Sequence, residues 1–168
     1  MQEQAKQVLN AGTSLIIDQK SLDQINAHAV SAFPEECCGL MLGTFEEDSK
    51  VKRVEQLRRM ANTYATEERY HRYTIDPKEF MEIENEASEQ GKEIVGIYHS
   101  HPNAPSKPSL FDQNHAWPTL SYLVVEVREK KPISTRSWVL KEDRSDFLQE
   151  VLTVTGETPV NERNSRSE

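Results

Sequence analysis

Glu93-Ile94-Val95-Gly96-Ile97-Tyr98-His99-Ser100-His101-Pro102 is an apolar run that ends in two histidines and a proline. Glu93 to His99 has the length and β-branched content of a buried strand, so the histidine pair is expected at its C-terminal end. Residues two apart on an extended chain leave the same face, with roughly 6.6 Å between their backbones. Two imidazoles at that spacing can converge on one ion at about 2.0–2.1 Å. Asp112 lies eleven residues beyond His101 and can be carried back by the intervening loop. Pro102, Pro105 and Pro108 stiffen that loop and lower the entropy lost in holding it. His99, His101 and Asp112 are then three ligands, the number a catalytic zinc takes when its fourth position is left for water. Ser109, three residues before Asp112, shares one face of a helical turn with it and suits the N-cap of a short helix. Gly96 would let a neighbouring backbone come close just before the site.

Competing metal patterns are missing. There is no His-Glu-x-x-His helix, and no Pro-Cys-x-x-Cys pair, although the strand-and-helix layout is loosely similar to that of the zinc deaminases. His28 falls in a helical stretch and His71 in an irregular one, and both are expected at the surface. His115, three residues after Asp112, is a candidate to support the ligands from behind. A metal-bound water also needs a proton acceptor. Glu36 stands at the mouth of the apolar run Cys37-Cys38-Gly39-Leu40-Met41-Leu42-Gly43, where partial desolvation would raise its pKa toward the working range. Glu35 beside it is equally acidic, and spacing does not choose between them.

Outward from this centre the chain alternates strand and helix. Leu15-Ile16-Ile17 reads as a first strand. Leu22, Ile25, Ala29 and Phe33 lie at helical spacing from Ser21 to Phe33, and Pro34 stops the helix. Cys37 to Gly43 is apolar on both faces and reads as a buried strand; Val51 to Met60 reads as a more exposed one. Asn62 to His71 is polar and irregular, either a flap beside a substrate path or a plain surface loop. Asp76-Pro77-Lys78-Glu79 is a helix start, with Asp76 as cap, Pro77 first in the helix and Glu79 completing a capping box. Phe80, Ile83 and Ala87 mark its buried stripe and Gly91 its end. Leu120–Val127 and Ile133–Leu140 predict an antiparallel hairpin around Glu129-Lys130-Lys131-Pro132. Phe147, Leu148, Val151 and Leu152 predict a closing amphipathic helix. The expected organisation is a flexible leader over 1–13, a folded domain over 14–153 and a disordered polar tail over 154–168. The fold class is an α/β mixture (α+β) with at least one antiparallel section.

A chain of 168 residues fits one domain, able to bury about 70% of its unfolded surface. A net charge of -8 argues against a nucleic-acid backbone as partner. The only two cysteines, Cys37 and Cys38, are adjacent; on a strand they point to opposite faces and form no ordinary bridge. That usage, and the polar Met1–Lys6 start without a signal-peptide core, favour a cytoplasmic location. No apolar run approaches the ~20 residues of a membrane span.

Glu36-Cys37-Cys38-Gly39, His99-Ser100-His101-Pro102 and Ser109-Leu110-Phe111-Asp112 together resemble the motifs of the JAMM (MPN+) metalloproteases. Gly96-Ile97-Tyr98 and Pro108-Ser109 extend the likeness, which covers about residues 14 to 153. The resemblance implies a curved, mostly antiparallel mixed β-sheet flanked by helices, of a cytidine-deaminase-like kind. It implies one zinc ion with a catalytic water on His99, His101 and Asp112. Glu36, rather than Glu35, would be general base and proton shuttle, and Ser109 would hydrogen-bond the oxyanion. The implied reaction is hydrolysis of the peptide or isopeptide bond after the Gly-Gly tail of a ubiquitin-like protein. The short connection from Asp112 to the Leu120 strand resembles the compact, stand-alone prokaryotic members. Two other readings stay open. One is a hydrolase that releases an amino acid such as cysteine from the C-terminus of a sulfur-carrier protein. The other is a non-catalytic scaffold that binds a ubiquitin-like fold. Some members of the family pair, so a homodimer is compatible with the resemblance.

Overall fold

The computed structural model describes residues 12–156 of the chain. The expected leader and tail lie outside the described residues, apart from Gly12, Thr13 and residues 154–156. The elements in order are β1 (Ser14–Asp18), α1 (Gln19–Ala32), β2 (Cys38–Glu46), β3 (Val51–Met60), a 3-10 turn (Thr66–Glu68), α2 (Pro77–Glu89), β4 (Glu93–Pro102), α3 (Leu110–His115), β5 (Ser121–Arg128), β6 (Lys131–Leu140) and β7 (Phe147–Thr155).

The helix starts follow from local chemistry. Asp18 caps α1 by accepting from the Ser21 N–H at 2.7 Å. Asp76 caps α2 by accepting from the Lys78 N–H at 2.8 Å, with Pro77 in the first turn. The reciprocal Glu79 bond of the expected capping box is not made among the described residues. Gly91 adopts φ +70°, the left-handed geometry that glycine takes at a helix end.

The strands close into a barrel in the order β1-β3-β2-β4-β5-β6-β7, and β1 pairs back onto β7. β1–β3, β1–β7 and β4–β5 are parallel, while the other four pairs are antiparallel. The β5–β6 hairpin is as expected.

The closing element is a correction. Phe147, Leu148, Val151 and Leu152 lie on strand β7, not on an amphipathic helix. β7 pairs antiparallel with β6 and parallel with β1, from Ser14↔Val151 to Asp18↔Thr155. The run Val151-Leu152-Thr153-Val154-Thr155 is mostly β-branched, and the vacant edges of β1 and β6 take it as a strand.

Both faces of the sheet are covered, which explains the unbroken apolar runs of β2, β4 and β5. On one face Ile25 and Ala29 of α1 pack with Leu15, Met41, Tyr98, Leu123 and Val125. On the other face Leu40, Leu42, Ile94, Ile97, Val124 and Trp138 form a core with Ala87 of α2. Cys37 joins the first core and Cys38 the second, both as free thiols, so the adjacent cysteines do diverge.

A bulge in β4 sets which face the histidines take. Met41 pairs with Gly96 but Leu42 pairs with Ile94, leaving Val95 as the extra residue. Ile94 and Ile97 therefore share a core despite their odd spacing, and His99 stacks on Tyr73 against that same core. Gly96 is needed for the close approach of β5, since a Cβ there would sit 2.4 Å from the Ser121 carbonyl oxygen. Gly96→Ala is expected to cost about 1–3 kcal/mol by forcing β4 and β5 apart, measured by urea unfolding. Among the described residues no helix is long and apolar enough to cross a membrane.

Candidate metal centre

β4 continues through Pro102 because β5 pairs beside it as far as Pro102↔Val127, so both histidines lie within the strand. His99 is fully buried and His101 nearly so. α3 begins at Ser109 with a reciprocal cap. Ser109 Oγ accepts from the Asp112 N–H at 3.1 Å, and the Ser109 N–H donates to Asp112 Oδ2 at 2.9 Å. That same Oδ2 lies 3.2 Å from His99 Nε2 and 3.1 Å from His101 Nε2, and the two Nε2 atoms are 3.1 Å apart.

This triangle has a defined chemistry. His101 Nδ1 lies 2.8 Å from the Pro105 carbonyl oxygen, which can only accept, so Nδ1 carries the proton. In the neutral ring His101 Nε2 is then a bare lone pair, facing a carboxylate oxygen. A proton or a metal cation must sit among the three atoms. Tetrahedral ligands ~2.0–2.1 Å from zinc lie about 3.3–3.4 Å from one another, close to the separations here. The donor set therefore fits zinc. The electrostatics agree. Burial alone would raise the Asp112 carboxyl, but the two imidazoles outweigh it and hold the group well below the ordinary carboxylate range. Burial opposes charge on His101, yet the Asp112 carboxylate draws its pKa up; on His99 burial prevails and lowers it.

Glu36 precedes β2 and is 3% exposed, so its carboxyl is largely withdrawn from water. Its carboxylate and one nitrogen of each histidine lie within 4.8 Å of one another, forming a second possible metal-holding group that shares both histidines. Glu36 Oε1 has no hydrogen-bond partner among the described residues. Burial pushes its pKa up to about 8, partly offset by His101 and reinforced by Asp112. Glu35 is no part of this group, so the geometry separates two acids that spacing leaves equivalent.

Stability should report this burial. The metal-free folded protein keeps a proton on Glu36 that the unfolded chain loses near the ordinary 4.5. Folded protein binds more protons from there to about 8, so this contribution falls as pH rises through that window. Asp112 acts oppositely, its contribution being lost only in acid. Urea titrations of metal-free protein should show Glu36→Gln gaining on wild type by up to a few kcal/mol toward the upper end of the window. An identical pH dependence in the two proteins would contradict the burial.

The remaining expectations divide. His115 bonds back to the Phe111 carbonyl oxygen at 2.8 Å and stacks on that ring, with no bond to the triangle. His28 is partly exposed and bonded to the Tyr98 hydroxyl at 2.8 Å, and His71 is partly exposed on the wall of the cleft; neither joins the triangle. The Asn62–His71 stretch contains the 3-10 turn and ties directly to Glu36. Glu36 N–H donates to the Arg69 carbonyl at 2.7 Å, and Asn62 Nδ2 donates to the Glu36 carbonyl at 3.1 Å. No motif pointed to Asn62; only folding brings it to Glu36.

Glu36, Arg72, His101, Lys107, Ser109 and Phe111 are among the residues lining an open cleft at this centre. Beyond Phe111 a mostly apolar groove of about 530 Å³, lined in part by Ile75, Phe80, Trp117 and Leu120, reaches Asp112 from the other side.

The model of the prokaryotic homologs of the JAB domain matches residues 18–141. The chain belongs to that family. This JAB domain is 31% identical over 132 residues to a desampylase from Pyrococcus furiosus, covering 77% of this chain and 84% of that protein. It is 29% identical over 133 residues to tail tip assembly protein K of Escherichia phage N15, covering 73% of this chain but 49% of the phage protein, so it spans about half of that relative's length. The solution structure of a protein from Desulfitobacterium hafniense superposes with a TM-score of 0.72 at 28% identity, covering 86% of this chain and 95% of that one. The JAB-domain fold expected from the motifs is therefore the fold found.

Proposed function

We propose that this JAB domain is a zinc-dependent hydrolase that cleaves the peptide or isopeptide bond after the Gly-Gly tail of a ubiquitin-like protein. The observation that carries it is the triangle of His99, His101 and Asp112, with the buried, unpartnered Glu36 carboxylate beside it. The desampylase relative supports the substrate class.

His99, His101 and Asp112 are the proposed ligands. Zinc there would polarise the scissile carbonyl and acidify a bound water. Glu36 takes the proton from that water and passes it to the leaving amine, a transfer suited to a carboxyl whose pKa is raised toward neutral. Ser109 Oγ already accepts from Asp112 N–H, so its own proton is free to be donated to the developing oxyanion. Ser109→Ala is expected to lower kcat by about 10²–10³ and to destabilise α3 by about 1 kcal/mol through loss of the cap. Stopped-time cleavage assays and urea unfolding measure the two effects separately.

The deciding experiment is a cleavage assay against ubiquitin-like and sulfur-carrier domains ending in Gly-Gly, each carrying either a lysine-linked peptide or a single amino acid such as cysteine. Cleavage by zinc-loaded protein that stops with chelator supports the enzyme. The preferred leaving group then separates deconjugation from amino-acid release. Tight binding with no cleavage across the panel would instead favour a scaffold.

A further inference from the structure

Among the described residues no hydrogen bond reaches the Glu36 carboxylate, and its buried Oε1 is without a partner there. Its direction must come from the backbone that carries it. That backbone is held on both sides by one segment. The Glu36 N–H is bonded to Arg69 at 2.7 Å, and its carbonyl is bonded to Asn62 Nδ2 at 3.1 Å. Asn62 Nδ2 also donates to the Arg72 carbonyl at 3.0 Å. Its Oδ1 accepts from Tyr64 N–H at 3.1 Å and Thr74 N–H at 3.3 Å. A primary amide has two donor hydrogens and two acceptor lone pairs, so all four are spent here. One side chain thus fastens both ends of the 62–74 segment to the peptide of Glu36.

We propose that Asn62 is a positioning residue that fixes the Glu36 backbone and so points its carboxylate at His99 and His101. This rests on the proposed role of Glu36. Catalytic groups need placement within about 0.5 Å, and a shift near 1 Å can cost about 10²-fold in rate. A carboxylate with no bonds of its own inherits any movement of its main chain directly.

Asn62→Asp is the selective variant. It keeps the oxygen that accepts from Tyr64 and Thr74, and it replaces the donor with an acceptor facing two carbonyls. Thr63→Val is the control for mere loosening of the loop. It removes the bonds from Thr63 Oγ1 to the Thr74 carbonyl and hydroxyl, both at 3.0 Å, without touching Glu36. Hydrogen exchange at the Glu36 amide, read by NMR on metal-free protein, needs no substrate. Asn62→Asp should speed it about tenfold or more, while Thr63→Val leaves it nearly unchanged. On a Gly-Gly-tailed ubiquitin-like fusion, Asn62→Asp should lower kcat about tenfold or more with KM within about twofold and zinc content unchanged. Wild-type exchange in Asn62→Asp, or equal losses in the two variants, would overturn the positioning role. Glu36→Gln run in parallel separates the two levels. An inactive Glu36→Gln beside a fully active Asn62→Asp defeats the Asn62 inference alone; a fully active Glu36→Gln defeats the base assignment and this inference with it.

Discussion

Glu36→Gln is expected to keep its zinc and lose about 10²–10⁴ of its turnover. Glutamine has the shape of the glutamate side chain but cannot accept the water proton. The carboxylate stands within 4.8 Å of the histidine nitrogens without a bond at Oε1, so its replacement breaks no interaction at that atom. KM should change little, because the role proposed for the group is on the transferred proton and not on the remote parts of the substrate. Metal analysis beside steady-state kinetics on a Gly-Gly-tailed fusion checks both halves. Turnover at the wild-type rate would remove Glu36 as base. Loss of zinc would move it into the ligand set, which its proximity to both histidines makes a real alternative outcome.

Asp112→Ala is expected to weaken zinc binding by more than about 100-fold and to abolish cleavage. One oxygen, Oδ2, faces both imidazoles and also accepts from the Ser109 N–H. The truncation therefore removes a proposed ligand, the negative charge that draws the His101 pKa up, and half of the cap of α3. Asp112→Asn separates these effects. Its amide oxygen can still serve the cap, so helix stability should recover by about 1 kcal/mol while zinc affinity stays low. Competition with a chromophoric chelator measures the affinity, and urea unfolding measures the cap. Unchanged zinc stoichiometry in Asp112→Ala would refute the ligand assignment.

Much of this centre was legible along the chain because its parts are local. The apolar run into His99 and His101 specifies a strand, and a two-residue repeat puts both rings on one face. Ser109 and Asp112 are one helical turn apart, and the cap that their spacing suggests is the cap that forms. Asp76-Pro77 starts α2 for the same reason. β7 misled because its first apolar residues fit a helical stripe, while its strand character depends on β1 and β6, which offer it two edges from distant parts of the sequence. Glu36 was named from a motif, and its difference from Glu35 became physical only with its burial. Asn62 carried no signal at all, since its partners include Glu36, brought near when β2 and β3 pair, and Thr74, brought near when the chain from Asn62 to Thr74 folds back on itself.

Helix caps, the strand character of β4 and the spacing of the histidines are short-range properties, governed by backbone sterics and by the two periods of 2 and 3.6 residues. The closing of the barrel, the bulge at Val95 that sets the face of His99, and the seclusion of Glu36 from water are settled by contacts between residues far apart in the chain. Their free energy exists only once the chain is packed, because edge pairing, close approach at Gly96 and desolvation of a carboxyl each need a second surface to be in place.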